Sequence, residues 1–270
     1  MPSDGNHPGS SFLPRPSDTK MSCPLPPDIL DLITDHLRDE TKALKSCCTI
    51  SKDWIYRTRR HLFDHVYFRH VGRHVNDWKK SFPDPTSSPA HHTRTLSIYS
   101  PEVITVADTD TLLTFCSVSR LNVDSTRGYD QQVCLLPLHG FSPNIKSLYL
   151  SFANLPSSVL FGIVCSFPLL EDLSLSCFRF GRRQEAVEAL PTSPKLTGTL
   201  ELRLKREVQF ITSQLLGLPD GLHFRRIAVQ WVVPGDIRST MDLASRCSDT
   251  LESLEISSHL TGPSSRGDCA

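Results

Sequence analysis

Two histidine pairs, His61/His65 and His70/His74, stand four residues apart, the spacing that sets two metal ligands on one face of a helix. Neither has the glutamate of an H-E-x-x-H site, and no cysteines stand near at ligand spacing. Both pairs therefore read as solvated or partner-facing side chains. Cys47 and Cys48 are adjacent, and on a helix they would point about 100° apart, which suits small core residues better than a shared metal. The chain has no G-x-S-x-G elbow, no Gly-rich phosphate loop and no kinase signature. A hydrolase on an α/β sheet would lack its nucleophile motif. Arg266-Gly267-Asp268 spells an integrin-binding tripeptide, but triplets of this sort recur by chance. Arg179, Arg182 and Arg183, with Lys205 and Arg206, make the densest basic spots of the C-terminal part. They read as a solvated face, or else as a site for an acidic or phosphorylated motif. The chemistry on offer is binding, and no catalysis, cofactor or metal is expected.

Composition narrows the partners. Of 270 residues 39% are hydrophobic, enough to bury a sizeable core in one large domain or two small ones. Lys plus Arg and Asp plus Glu number 29 each. That balance supplies no basic field for phosphate backbones, so no nucleic acid is expected as partner. The longest apolar run, Val159 to Leu170, holds Ser166 and Pro168 and falls well short of the roughly 20 residues of a membrane helix. Met1 to Lys20 has no apolar core of a secretory signal. Nine cysteines without a C-x-x-C pair, and no Asn-x-Ser/Thr sequon, predict reduced thiols. The expectation is a soluble chain of the cytoplasm or nucleus, with no membrane partner.

The elements follow from periodicity. Residues 1–22 are Pro-rich and poor in large apolar groups, and read as a disordered tail. Pro26 and Pro27 suit a first helical turn and Asp28 its dipole, with Ile29, Leu30, Ile33 and Leu37 supplying an apolar face. Asp39 or Thr41 should cap a second helix bearing Leu44, Cys47, Cys48 and Ile50. Trp54, Ile55, Leu62 and Phe63 belong to a third, basic helix. Residues 71–93 read as a linker, with a turn-rich stretch between Phe82 and His92.

Beyond the linker, apolar-x-apolar strands recur at Leu96/Ile98, Leu121/Val123, Leu148/Leu150, Leu173/Leu175, Leu200/Leu202, Ile227/Val229 and Leu254/Ile256. Helix-like stretches lie between them at Asp110 to Cys116, Ser158 to Cys165, Arg183 to Leu190, Val208 to Leu216 and Ile237 to Cys247. The strands start 25 or 27 residues apart, within the period of leucine-rich repeats, and four units match their L-x-x-L-x-L core. No unit has Asn or Cys at the ninth position, and the one from Leu196 to Leu202 carries one residue too many. The expected fold is therefore α/β: a three-helix module over 23–70, then a leucine-rich-repeat-like βα solenoid with a parallel sheet over 94–257. About seven units are expected, with 258–270 a second disordered tail. A doubly wound α/β sheet is the competing fold.

Leu25-Pro26-Pro27-Asp28-Ile29, then Ile33, His36-Leu37, Leu44, Ile50-Ser51-Lys52 and Trp54, resembles an F-box. Asp28 stands for the family's Glu and Ile50 for its Val. The stretch from Leu37 to Leu44 is about two residues longer than in many F-boxes. The resemblance covers about residues 24–70, and fungal F-box proteins often carry leucine-rich-like repeats. It implies a Skp-type adaptor as partner and, through it, a cullin scaffold. On this resemblance Leu25, Pro26, Ile29, Leu30, Ile33, Leu37, Leu44, Ile50 and Trp54 divide between module core and adaptor surface. The repeats would bind a protein substrate through positions alternating with the buried strand residues: Tyr99, Asn122, Asp124, Tyr149, Ser174, Ser176, Glu201, Arg203, Gln230 and Glu255. A repeat scaffold with a vestigial F-box and no ligase role is the alternative.

Overall fold

The structure is a computed structural model that describes residues 25–99, 106–125, 141, 143–152, 157–176, 194–204, 208–219, 221–230, 232 and 234–258. Three short helices come first: α1 (Pro27–His36), α2 (Thr41–Cys47) and α3 (Lys52–Leu62). Pro27 opens α1, where a missing N–H costs nothing, and Asp28 sits at the positive end of the helix dipole. The capping expected of Asp39 or Thr41 is not found. Glu40 holds the N-cap of α2 without a side-chain bond, and Thr41 is already the first helical residue. Arg59, Arg60 and His61 end α3, basic side chains where the dipole is negative.

α3 packs against both other helices. Leu30, Thr34, Leu44, Cys47 and Thr58 are buried between them. At the rim Arg60 Nη2 lies 2.5 Å and His61 Nε2 2.9 Å from Asp35 Oδ1. These neighbours, working against partial desolvation, hold the Asp35 carboxyl below its usual range. Arg57 Nε is 3.0 Å from Asp31 Oδ1 but off the line of a hydrogen bond.

Eight parallel strands then form one sheet: β1 (His65–Phe68), β2 (Thr95–Tyr99), β3 (Arg120–Ser125), β4 (Ser147–Phe152), β5 (Asp172–Ser176), β6 (Thr199–Arg203), β7 (Arg226–Gln230) and β8 (Ser253–Ser257). Their order in the sheet is their order in the chain. A doubly wound sheet must reverse direction at a switch point, so this is a repeat-like βα solenoid. The helices α4 (Val71–Ser81), α5 (Val106–Leu112), α6 (Ser157–Cys165), α7 (Val208–Leu216) and α8 (Ile237–Arg246) lie between strands in the chain.

Two apolar rows run across the sheet, one from Val66 through Leu96, Leu148 and Leu200 to Leu254, the other from Phe68 through Ile98, Leu150 and Leu202 to Ile256. From β2 to β7 every member of both rows is buried in the core, which is worth about 1.5–3 kcal/mol per side chain.

The seven expected strands all lie in the sheet, and β1 is an eighth that the sequence reading placed in the helical module. The expected linker is corrected too. Val71, Val75, Trp78 and Phe82 sit at helical spacing, so residues 71–81 form α4, with Val71 and Val75 fully buried. Only the next dozen residues are turn-like: Asp84 and Ser88 cap two short 3-10 turns, and even there Pro89 and Ala90 are buried. The helix expected from Asp110 to Cys116 runs instead from Val106 to Leu112, and the one from Arg183 to Leu190 lies outside the described residues. So do both expected tails, apart from Ser258, and the basic spots at 179–183 and 205–206.

At most junctions one carbonyl before a strand accepts two N–H groups from the next unit. Lys146 O, for example, takes Glu171 N at 2.8 Å and Asp172 N at 2.9 Å. At β6 the pattern changes. Glu171 O takes Gly198 N at 3.0 Å, while Thr199 N donates to Asp172 Oδ1 at 2.6 Å. A Cβ at position 198 would lie inside the Asp172 carboxylate. The extra residue of this unit is absorbed by a glycine and a side-chain acceptor.

Candidate functional site

Two surfaces offer contacts. The first is the sheet face opposite the helices. Strand register lines up Tyr67, Ser97, Asn122, Tyr149, Ser174, Glu201, Ala228 and Glu255 in one row. Tyr99, Asp124, Ser151, Ser176, Arg203, Gln230 and Ser257 make the next. All ten residues expected to read a substrate therefore share one face. Ser176 is corrected as a contact: it is buried, as are Ser97 and Ser151, so the floor is made of small side chains. Tyr67 stands outside the expected set because β1 lies off the 25–27-residue strand spacing. Ser97, Ser151, Ala228 and Ser257 follow the same alternation and were legible.

The face is graded in chemistry. Toward β1 it is aromatic, with the Tyr67 and Tyr99 rings 4.7 Å apart and tilted. Burial first, then Tyr67, Asp124 and Tyr149, push the Tyr99 phenol above its ordinary value, so it stays a hydrogen-bond donor at neutral pH. Between β1 and β3, Ser97 Oγ accepts from Asn122 Nδ2 at 3.0 Å and lies 2.9 Å from His65 Nε2. The serine can give its proton to that nitrogen, a nucleophile–base distance. Yet Ser97 is only 2% exposed, closed to a substrate carbonyl, and the bond ties two strands together.

Toward β8 the face is ionic. Arg203 Nε and Nη2 approach Glu201 Oε1 at 2.7 and 2.6 Å, and Ser174 Oγ donates to Oε2 at 3.0 Å. The pair is held in place before any ligand arrives.

The second surface lies on the helical module. Ile29 and Leu32 are exposed three residues apart on one face of α1; Leu25, just before the helix, and Ile50, in the turn before α3, are exposed too. Pro26 is exposed, and Ile33, Leu37 and Trp54 are half-buried. Leu30 and Leu44 are corrected out of a contact surface, because both pack in the core. Leu32, 66% exposed, was missed. Its place three residues after Ile29, on the same helix face, was the available signal.

His61 and His65 do not share a helix face as their spacing predicts, whereas His70 and His74 meet at the start of α4. His61 ends α3 on Asp35, whereas His65 lies in β1. His74 Nδ1 accepts from Arg69 N at 3.1 Å, with His70 stacked edge-on. Among the described residues no cluster of three or more metal-ligating side chains forms, and no helix is long and apolar enough to cross a membrane. Cys47 is buried, and Cys48 Sγ is 2.9 Å from Thr58 Oγ1. Neither a protein-family model, nor a characterised protein, nor a solved structure matches the chain.

Proposed function

We propose that the protein is the substrate-recognition subunit of a Skp–cullin–F-box ubiquitin ligase, working in the cytoplasm or nucleus. The observation that carries this reading is the set of exposed apolar side chains on and beside the short helices: Leu25, Ile29, Leu32 and Ile50. Three helices of 7 to 11 residues bury little apolar surface of their own, and they leave these four large side chains in water. A Skp-type adaptor covering them would link the chain to a cullin scaffold. The strand face, aromatic at one end and ionic at the other, would hold a protein substrate.

The chain itself would break no bond. It would act by effective concentration, keeping a substrate lysine near a charged conjugating enzyme. The test is capture of the full chain by a purified adaptor. Replacing Leu25 and Ile29 with Ala should abolish capture while circular dichroism stays unchanged. Undiminished capture by that variant overturns the reading, and a chain that never binds adaptor is a repeat scaffold without a ligase role.

A further inference from the structure

The two ends of the sheet differ, and they complement each other. In the apolar rows Ile227 and Val229 of β7 are fully buried, but their neighbours Leu254 and Ile256 in β8 are 38% and 40% exposed. On α8, Ile237 and Met241 stand four residues apart on one stripe, each about half exposed. β8 is also an edge strand, so its outer main-chain groups pair with nothing among the described residues. Such an edge takes another strand when one of the right character meets it.

The opposite end has that character. β1 is the other edge, and beside it runs a groove of about 380 Å³. One wall is β1 itself. The other is aromatic: Phe63 meets Trp78 and Phe82 edge-on, with ring centroids 5.8 and 5.7 Å away. Main chain on one side and apolar rings on the other is the setting in which an added strand with large side chains docks. The ends also differ in charge. Residues 64–82, which carry β1 and α4, hold four Lys and Arg against two Asp and Glu, one of them Asp77 in the groove, whereas residues 234–258 hold two against five.

We propose that the chain associates with a second copy of itself head to tail, β8 of one copy adding in parallel to the free edge of β1 in the next. Leu254 and Ile256 then extend the rows that begin at Val66 and Phe68, and the acidic end meets the basic one. Tail-to-tail pairing of two β8 strands is disfavoured, since it joins two acidic ends, and its register centred on Glu255 sets that carboxylate against its own copy. A head-to-tail contact leaves a free head and a free tail on every added copy, so the assembly grows with concentration as long as its rotation closes no ring. Addition of one short strand at an edge is a small contact, of the weak and reversible class.

Sedimentation velocity of the full chain tests this. The weight-average mass should rise steadily from about 5 to 200 μM, and less steeply in 0.5 M salt than in 0.05 M. Two variants separate the ends: Ile256→Asp spoils the tail, and Ser81→Glu, at an exposed side chain of the groove, spoils the head. Each should be monomeric alone with unchanged circular dichroism, and their mixture should stop at a one-to-one dimer. Overturning results are a wild-type chain that stays monomeric, one that stops at a dimer, or a head-spoiled variant that still dimerises through its tail. No adaptor is present in these measurements, so their failure leaves the receptor reading untouched.

Discussion

Asp172 takes at β6 the part that a main-chain carbonyl plays at neighbouring junctions, and it depends on the bare backbone of Gly198. Gly198→Ala should push the carboxylate away and strip Thr199 N of its acceptor, costing about 1–3 kcal/mol in urea unfolding. A change within 0.5 kcal/mol would mean that the carboxylate moves freely and the junction is not built on it. Titratable residues add a pH dependence. Burial, then the charges of His91, Arg60 and Arg59, lower the pKa of His92 from 6.5. The native state thus disfavours its proton, so its contribution is complete above pH 6.5 and is lost as pH falls from there. The sign is the same for Asp35, whose lowered pKa gives stability above 3.8 that is lost on further acidification. Thermal melts should fall between pH 7 and 5.5, and His92→Asn should flatten that slope. An equal slope in the variant would assign it to other groups.

At the scale of elements, legibility followed pattern strength. Val208 to Leu216 and Ile237 to Arg246 carry clear helical spacing between strands of a regular repeat, and α7 and α8 form there. β1 is only four residues long, and Val66 lies 30 residues before Leu96, outside the 25–27 spacing that reveals the others. With β1 hidden, α4 had no strand to serve, and Pro-rich neighbours made it look like linker. Alternation placed the substrate-face residues on one side, but it carries no information about depth, which is why Ser176 had to be corrected. Depth sets the cost of truncation. Leu200 and Leu254 occupy the same row, one fully buried and the other 38% exposed. Leu200→Ala should cost about 2–5 kcal/mol, and Leu254→Ala under about 1 kcal/mol. Equal losses from the two would contradict an open end at β8.

The whole molecule has two working surfaces on separate parts of one chain: an apolar stripe on α1 and a graded polar face on the sheet. Substitutions on the face should therefore leave the stripe alone. Glu201→Ala with Arg203→Ala should alter substrate capture and keep adaptor affinity within about twofold, because no described contact joins that pair to α1. A parallel loss of both would mean that the surfaces communicate. The receptor reading meets its most direct check in hydrogen exchange of the full chain with and without a Skp-type adaptor. Amides of residues 25–37 and 48–51 should gain at least tenfold protection with adaptor bound, while those of β3 to β7 stay unchanged. Unaltered exchange over residues 25–51 at saturating adaptor would contradict it.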